Sequence, residues 1–151
     1  PGVHFDNGTG GGWDPQQNKI KARKERKLPV LDRAYSALLQ DLSDRGLLDS
    51  TLVVWCGDFG RTPKINPSAG RDHWTFCYSV IFAGAGVKGG TVYGASDAQA
   101  AYVKDSPVST ADICATIYRC LGIDPDLMVP DRTNRPVSIN LGGRPIEGIL
   151  V

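Results

Sequence analysis

A short apolar run followed by a long polar connection constrains this sequence more than any other feature. The run is Leu52-Val53-Val54-Trp55-Cys56, which predicts a buried strand. The connection over residues 57–74 concentrates glycine together with acidic, basic and imidazole side chains. Because α/β proteins place their chemistry in loops that follow buried strands, residues 51–74 are the predicted functional site.

An amphipathic helix is predicted just before this strand. Its apolar positions recur at helical spacing and its polar positions occupy the other face: Leu31, Ala34, Tyr35, Leu38, Leu39 and Leu42 against Asp32, Arg33, Gln40, Asp41 and Asp44. Pro29 suits a first turn and Gly46 suits a left-handed C-terminal cap, so the helix is predicted over residues 29–45. Helix, buried strand and functional loop together make an α/β unit.

The remaining chain predicts a second strand, a second helix and a short third strand. Residues 76–83 are rich in aromatic and β-branched side chains, which predicts another buried strand. Ser109 and Asp112 form a capping-box-like start for a helix that Gly122 closes. Its predicted apolar stripe is Ile113, Cys114, Ile117, Tyr118 and Leu121. Residues 137–139 alternate as a short strand.

Composition limits the classes of protein that fit. The chain has 151 residues and 41% hydrophobic residues, which favours one domain over residues 1–151. A net charge of +1 gives no global attraction to nucleic acid or to an anionic membrane surface. No apolar run approaches the roughly 18 residues of a membrane span. The four cysteines lack Cys-x-x-Cys spacing and fall in apolar patterns, so we expect buried free thiols.

The sequence contains two short matches to motifs of nucleotide-binding proteins, but the neighbouring elements that each motif needs are not predicted. Gly84-x-Gly86-x-x-Gly89 matches a dinucleotide fingerprint, yet no helix start follows it to hold a pyrophosphate. Asp58-Phe59-Gly60 spells the metal motif of protein kinases without the accompanying catalytic loop, glycine-rich loop or strand lysine. Neither motif supports nucleotide binding.

Several ordered motifs resemble a bacterial family catalogued as "domain of unknown function 1501". They are Gly12-Trp13-Asp14, Thr51-Leu52-Val53-Val54, Gly57-Asp58-Phe59-Gly60-Arg61-Thr62-Pro63, Gly70-Arg71-Asp72-His73-Trp74, residues 83–90, Tyr93-Gly94-Ala95 and residues 115–124. The family is related to the alkaline phosphatase and sulfatase superfamily. The resemblance implies a three-layer α/β/α fold with a mostly parallel sheet, of which this chain is a C-terminal portion, and it implies export.

The resemblance also implies metal ligands. In the superfamily the strand that residues 51–56 resemble ends in Asp-His, and here the pair is Asp58-Phe59, so only the carboxylate is kept. Asp14 and His73 resemble two ligands of a second metal. Gln16 stands where family members commonly have another histidine. The expected cofactor is a divalent metal, namely zinc, calcium or magnesium, and the alternative is no metal.

Two functions are therefore open. In the first, Asp58, His73 and Asp14 hold a metal for hydrolysis of a small anionic phosphate or sulfate ester, and Arg61 steadies the anion. The superfamily's nucleophile lies in an N-terminal half, so we expect little turnover from this chain. In the second, the fold is a non-catalytic binding or structural module. Neither function involves nucleic acid or a membrane, and self-association through an exposed sheet edge is expected.

Overall fold

The computed structural model describes Lys21 and residues 23–151. Within them lie two α-helices, α1 (Leu28–Asp44) and α2 (Thr110–Cys120). The strands are β1 (Val53–Trp55), β2 (Gly60–Arg61), β3 (His73–Trp74), β4 (Ile81–Ala83), β5 (Ala95–Ser96), β6 (Val103–Asp105), β7 (Met128–Pro130) and β8 (Pro136–Ser138). A π-helical turn (Arg23–Lys27) precedes α1, and 3-10 turns occupy Leu48–Ser50 and Glu147–Ile149.

The predicted three-layer α/β/α arrangement with a mostly parallel sheet is wrong. The strands of the described chain form four two-stranded antiparallel sheets, β1 with β4, β2 with β3, β5 with β6, and β7 with β8. Val53 is paired with Ala83 and Trp55 with Ile81, so the two predicted buried strands run in opposite directions. Parallel neighbours need a crossover, usually a helix. Residues 56–80 contain the β2–β3 hairpin and no helix, and they return the chain antiparallel.

The first helix is confirmed to within one residue at each end. Gly46 has a φ of +65°, the left-handed conformation that glycine adopts without a Cβ clash. The N–H of Gly46 donates to the Ser43 carbonyl at 3.0 Å, and the N–H of Leu47 donates to the Leu42 carbonyl at 2.8 Å. These two bonds make a Schellman motif, which satisfies carbonyls that the helix end leaves open.

The second helix is confirmed together with its predicted cap. The backbone N–H of Asp112 donates to the Ser109 hydroxyl at 3.1 Å, and the Asp112 carboxylate accepts the Ser109 N–H at 2.8 Å. The same carboxylate accepts the N–H of Arg144 at 2.8 Å. This bond connects the helix to residues 143–151, which we call the tail. The pKa of Asp112 is lowered, chiefly by the bond from Arg144 and then by the Ser109 side chain.

The tail decides which face of α2 is buried. Ile146 donates its N–H to the Thr116 hydroxyl at 3.0 Å, and a methyl group on Gly143 would overlap the backbone of Ala111. Ala115 and Thr116 are consequently fully buried. In the predicted stripe, Cys114 is exposed and Leu121 is 61% exposed, so the stripe was wrong at these two positions.

The cysteine prediction is confirmed in one part and wrong in the other. All four are free thiols. Cys56 and Cys114 are exposed, whereas Cys77 and Cys120 are half-buried. Cys56 follows the last residue of β1, and a two-stranded sheet of three-residue strands offers little surface to cover it.

The apolar core is small in the part of the chain that the structure describes. Its buried apolar side chains are Ala115 on α2 and Ile146 and Ile149 near the C-terminal end. Several large side chains elsewhere stay exposed, including Trp55 at 40% and Phe76 at 59%. The predicted strand 76–83 forms only at Ile81–Ala83, and the predicted strand 137–139 forms as β8. Among the described helices, none is long and apolar enough to cross a membrane.

Candidate functional site

The β2–β3 hairpin places two predicted site residues, Arg61 and His73, opposite each other. Arg61 lies opposite His73, and Gly60 lies opposite Trp74. Side chains that lie directly opposite each other in an antiparallel pair project from the same face. Arg61 and His73 therefore share one face of the hairpin, and Trp74 belongs to the other.

Phe59 contacts both of the basic side chains on the first face. Its ring centroid lies 4.0 Å from that of His73, with the ring planes tilted by 35°. The guanidinium carbon of Arg61 lies 5.4 Å from the Phe59 centroid, which is within range of a cation–π interaction. The phenyl ring thus packs against the imidazole and the guanidinium. We call Arg61, His73 and Phe59 the basic face.

The loop between the two strands is closed by hydrogen bonds at its base. Thr62 donates its N–H to the Asp72 carbonyl at 3.0 Å, and Asp72 donates its N–H to the Thr62 hydroxyl at 3.1 Å. The Arg71 guanidinium donates to the carbonyls of Thr62 at 2.7 Å and Pro63 at 2.5 Å. Arg71 and Asp72 therefore shape the loop that carries the basic face.

Asn66 organises the far end of the same loop. Its side-chain oxygen accepts the N–H groups of Ser68 at 3.1 Å and Gly70 at 2.9 Å. Its amide nitrogen donates to the Asp72 carboxylate at 3.1 Å. The sequence interpretation missed Asn66, although Asn followed by Pro is a turn signal that points to this position.

The other face of the hairpin carries an aromatic cluster. The Trp74 centroid lies 5.0 Å from Phe76 and 5.7 Å from Tyr102, and the Phe76 and Tyr102 centroids lie 5.5 Å apart. The indole N–H of Trp74 donates to the Ala101 carbonyl at 2.6 Å, which holds the ring in place. This cluster links the hairpin to the turn before β6.

The predicted metal ligands do not form a centre among the described residues. Asp58 is exposed, and its carboxylate accepts the N–H of Phe59 at 3.0 Å. His73 is exposed on β3. No three His, Cys, Asp or Glu side chains in the described ranges are grouped so that they could hold a metal ion. Asp14 and Gln16 lie outside those ranges.

A cavity of about 1220 Å³ adjoins the basic face. Its walls come from β1 and β4, from residues 57–61 and 75–80, and from the glycine-rich stretch 87–94. Asp58, Phe59 and Arg61 line it, whereas His73 is not among its described lining residues. A methyl group on Gly60 would overlap the Cys77 carbonyl. Because Gly60 has no side chain, β2 can pack closely against the backbone of Cys77.

The chain as a whole matches one protein family. The family is described as "Protein of unknown function (DUF1501)", and the match covers residues 1–150. The chain therefore belongs to this family, as its motifs predicted. Comparisons with curated proteins and with solved structures found no match.

Proposed function

We propose that this chain binds small anionic esters, of phosphate or sulfate, at the basic face. The observation that carries the proposal is the cross-strand pair of Arg61 and His73 on one side of a closed hairpin. A guanidinium donates two parallel hydrogen bonds to the oxygens of a phosphate or sulfate group. An imidazole opposite it adds a further N–H donor.

The rigidity of the hairpin supports binding. Hydrogen bonds from Arg71 and Asn66 hold the loop, and Phe59 packs against both basic side chains. A preorganised site loses less conformational entropy when a ligand binds, so more of its interaction energy appears as affinity.

Metal-dependent hydrolysis is the second candidate, by analogy with the alkaline phosphatase and sulfatase superfamily. A zinc, calcium or magnesium ion held by Asp58, His73 and Asp14 would polarise an ester oxygen. The described residues do not by themselves fit such an ion, because no three ligating side chains are grouped among them. Phe59 also stands in the position of a ligand and instead stacks on His73. These observations favour the binding module.

The metal content of the purified chain distinguishes the two candidates. A metal-free protein whose melting temperature does not respond to added zinc, calcium or magnesium supports the binding module. About one equivalent of bound metal, lost in Asp58→Ala and in His73→Ala, supports the hydrolase.

Calorimetric titration with inorganic phosphate and sulfate tests the binding proposal. We expect Arg61→Ala to weaken binding by about tenfold or more, because it removes a charge-assisted bidentate contact. Arg61→Lys should recover part of the affinity, since it restores the charge without the planar fork. The matched control is Arg45→Ala, which removes the same charge from the exposed Arg45–Asp41 pair next to α1. Equal losses in Arg61→Ala and Arg45→Ala would contradict a specific site.

A further inference from the structure

We propose that two copies of this chain exchange their tails, so that residues 143–151 of each copy dock on the other copy. In the structure the tail docks on α2 and on residues 86–93 of its own copy, which together we call the tail groove. A groove that fits one tail also fits the tail of an identical copy, so the structure itself supplies the occupant. The exchange goes beyond anion binding and does not depend on it.

The first half of the tail groove is formed by α2. The Asp112 carboxylate accepts the Arg144 N–H at 2.8 Å, and the Thr116 hydroxyl accepts the Ile146 N–H at 3.0 Å. Thr116 and Ile146 are both buried while the tail is docked. An empty groove exposes these groups to water, so a copy whose tail has left gains free energy by taking up the tail of another copy.

The second half of the tail groove is an antiparallel bridge in which Val87 pairs with Leu150. Two main-chain hydrogen bonds flank this pair, from Lys88 to the Ile149 carbonyl at 2.8 Å and from Val151 to the Gly86 carbonyl at 2.9 Å. Main-chain bonds of this kind form in the same way with a strand from another chain, which is the basis of recognition by β-strand addition. The bridge therefore accepts a tail from either copy.

The turn before the tail is strained. Leu141 has a φ of +57°, in the left-handed region that is unfavourable for a residue with a Cβ, and Gly142 follows with a φ of +82°. The Leu141 side chain is 86% exposed, so its packing does not offset this strain. A short strained hinge before a docked segment favours exchange, because the exchanged pair keeps the docking contacts and relaxes the hinge.

Asn140 opposes the opening of this hinge. Its side-chain oxygen accepts the Gly142 N–H at 2.8 Å, and its amide nitrogen donates to the Gly143 carbonyl at 3.0 Å. Hinge strain and these two bonds act in opposite directions. Because exchange joins two copies, mass action favours the closed copy at low concentration and the exchanged pair at high concentration.

Exchange gives each cavity a wall from the other copy. Ile146 and Ile149 of the tail line the cavity together with Val87 and Tyr93 of the tail groove. A Cβ built on Gly148 would lie 2.6 Å from Cε2 of Tyr93, so the tail packs closely against that ring. In an exchanged pair both isoleucines come from the second copy, and the cavity is incomplete without it.

Disulfide trapping between positions 87 and 150 tests the exchange. Cα atoms of a pair flanked by hydrogen bonds in this way lie about 4.5 Å apart, within the range that a disulfide spans. One chain carries Val87→Cys and the other carries Leu150→Cys. Both also carry Cys56→Ser and Cys114→Ser, because these two native thiols are exposed. After mixing at high concentration and treatment with oxidised glutathione, we expect a dimer with one chain of each kind, whose linked residues mass spectrometry identifies.

Variants at the hinge test the cause of the exchange. Leu141→Gly in both chains should lower the yield of the mixed dimer about fivefold or more, because glycine adopts the left-handed conformation without a Cβ clash and stabilises the closed turn. Ala100→Gly is the matched control, since Ala100 has a φ of +55° in a turn outside the tail groove. This control should leave the yield unchanged.

Four outcomes contradict the proposal. A chain that carries both Val87→Cys and Leu150→Cys should form the disulfide, and its failure to do so overturns the tail groove itself. A disulfide in that chain, with no mixed dimer from the two single variants, shows that the tail docks only on its own copy. Dimers of like chains in the same yield as mixed dimers indicate random collision and overturn the exchange. A yield that Leu141→Gly leaves unchanged overturns the role of the hinge.

Discussion

Single carboxylates hold the turns of this protein, and Asp131 is the clearest case. Its Oδ1 accepts the N–H of Thr133 at 2.7 Å and the N–H of Arg135 at 3.0 Å. The Thr133 hydroxyl donates to it at 2.7 Å, and Arg135 forms an ion pair with Oδ2 at 2.9 Å. These donors, led by the Arg135 backbone N–H and the Thr133 hydroxyl, lower the pKa of Asp131 from 3.8 to about 2.

Because the pKa of Asp131 is low in the folded state, the contribution of its turn to the free energy of unfolding depends on pH. A carboxyl whose folded pKa lies below its unfolded pKa contributes stability that is fully present above about pH 4. That contribution is lost as the pH falls toward about 2, the folded pKa of Asp131. We expect Asp131→Asn to show a smaller decrease in the free energy of unfolding between pH 4 and pH 2. Denaturant titrations at several pH values measure it, and a slope equal to that of the unaltered chain would contradict the expectation.

At the scale of elements, close backbone contacts replace an extensive core. The tail reaches α2 at Gly143, where a methyl group would overlap the backbone of Ala111. Bonds from Arg144 to Asp112 and from Ile146 to Thr116 follow directly along the chain. Ala115 on α2 and Ile146 and Ile149 in the tail are the buried apolar residues of the described chain, and Ile146 is held to α2 by its bond to Thr116.

We therefore predict that Gly143→Ala lowers the free energy of unfolding by about 1–3 kcal/mol, because the added methyl group forces the tail away from α2. Gly89→Ala is the matched control, since a Cβ there meets nothing within 4 Å. The control should change stability by no more than about 0.5 kcal/mol. Urea unfolding measures both variants. Similar values for the two would show that the tail contact is not tight in solution.

The β2–β3 hairpin depends in the same way on Asn66. Asn66→Ala removes three hydrogen bonds that fix the loop, so Arg61 and His73 should lose their mutual placement. We expect phosphate binding to weaken several-fold while the protein stays folded by circular dichroism. Ser36→Ala is the control, because it removes an exposed hydroxyl of α1 that donates to the Arg33 carbonyl at 3.2 Å, outside the β2–β3 hairpin. Unchanged binding in Asn66→Ala would exclude a positioning role for the loop.

At the scale of the molecule, the described chain leaves much apolar surface in water. Ile81 and Trp55, which pair across β1 and β4, are 43% and 40% exposed. The four sheets of the described residues have two strands each, and an unpaired strand edge can accept another chain. These features together favour association of copies through the β1–β4 sheet.

We propose that the chain self-associates with rising concentration through this sheet. Ile81→Lys should lower the associated fraction, because a charge on an edge strand opposes pairing with a second copy. Val129→Lys is the matched control, because it introduces the same charge at a 42% exposed apolar position of β7, in another two-stranded sheet. Light scattering across a concentration series measures the mass. A constant monomer mass at all concentrations would refute the proposal.

Short-range sequence signals were enough to predict the two helices and the family to which the chain belongs. Gly46, Ser109, Asp112 and Gly122 act through hydrogen bonds to residues a few positions away, and Pro29 acts by fixing its own φ, so these residues predicted the ends of both helices to within about one residue. The motifs around residues 57–74 cover the β2–β3 hairpin on which Arg61 and His73 lie opposite each other, and the role of this segment as a site stays a prediction. They did not reveal Asn66, whose role depends on hydrogen bonds within the folded loop.

Strand direction and burial were set by contacts between distant segments. An apolar run such as residues 52–56 is compatible with a parallel or an antiparallel neighbour, and only the return of the chain through the β2–β3 hairpin makes its partner antiparallel. The same holds for α2, where helical spacing marks an apolar stripe but the docked tail selects Ala115 and Thr116 for burial. Sequence pattern thus determines elements whose bonds are local, whereas pairing and burial require the free energy of the whole fold.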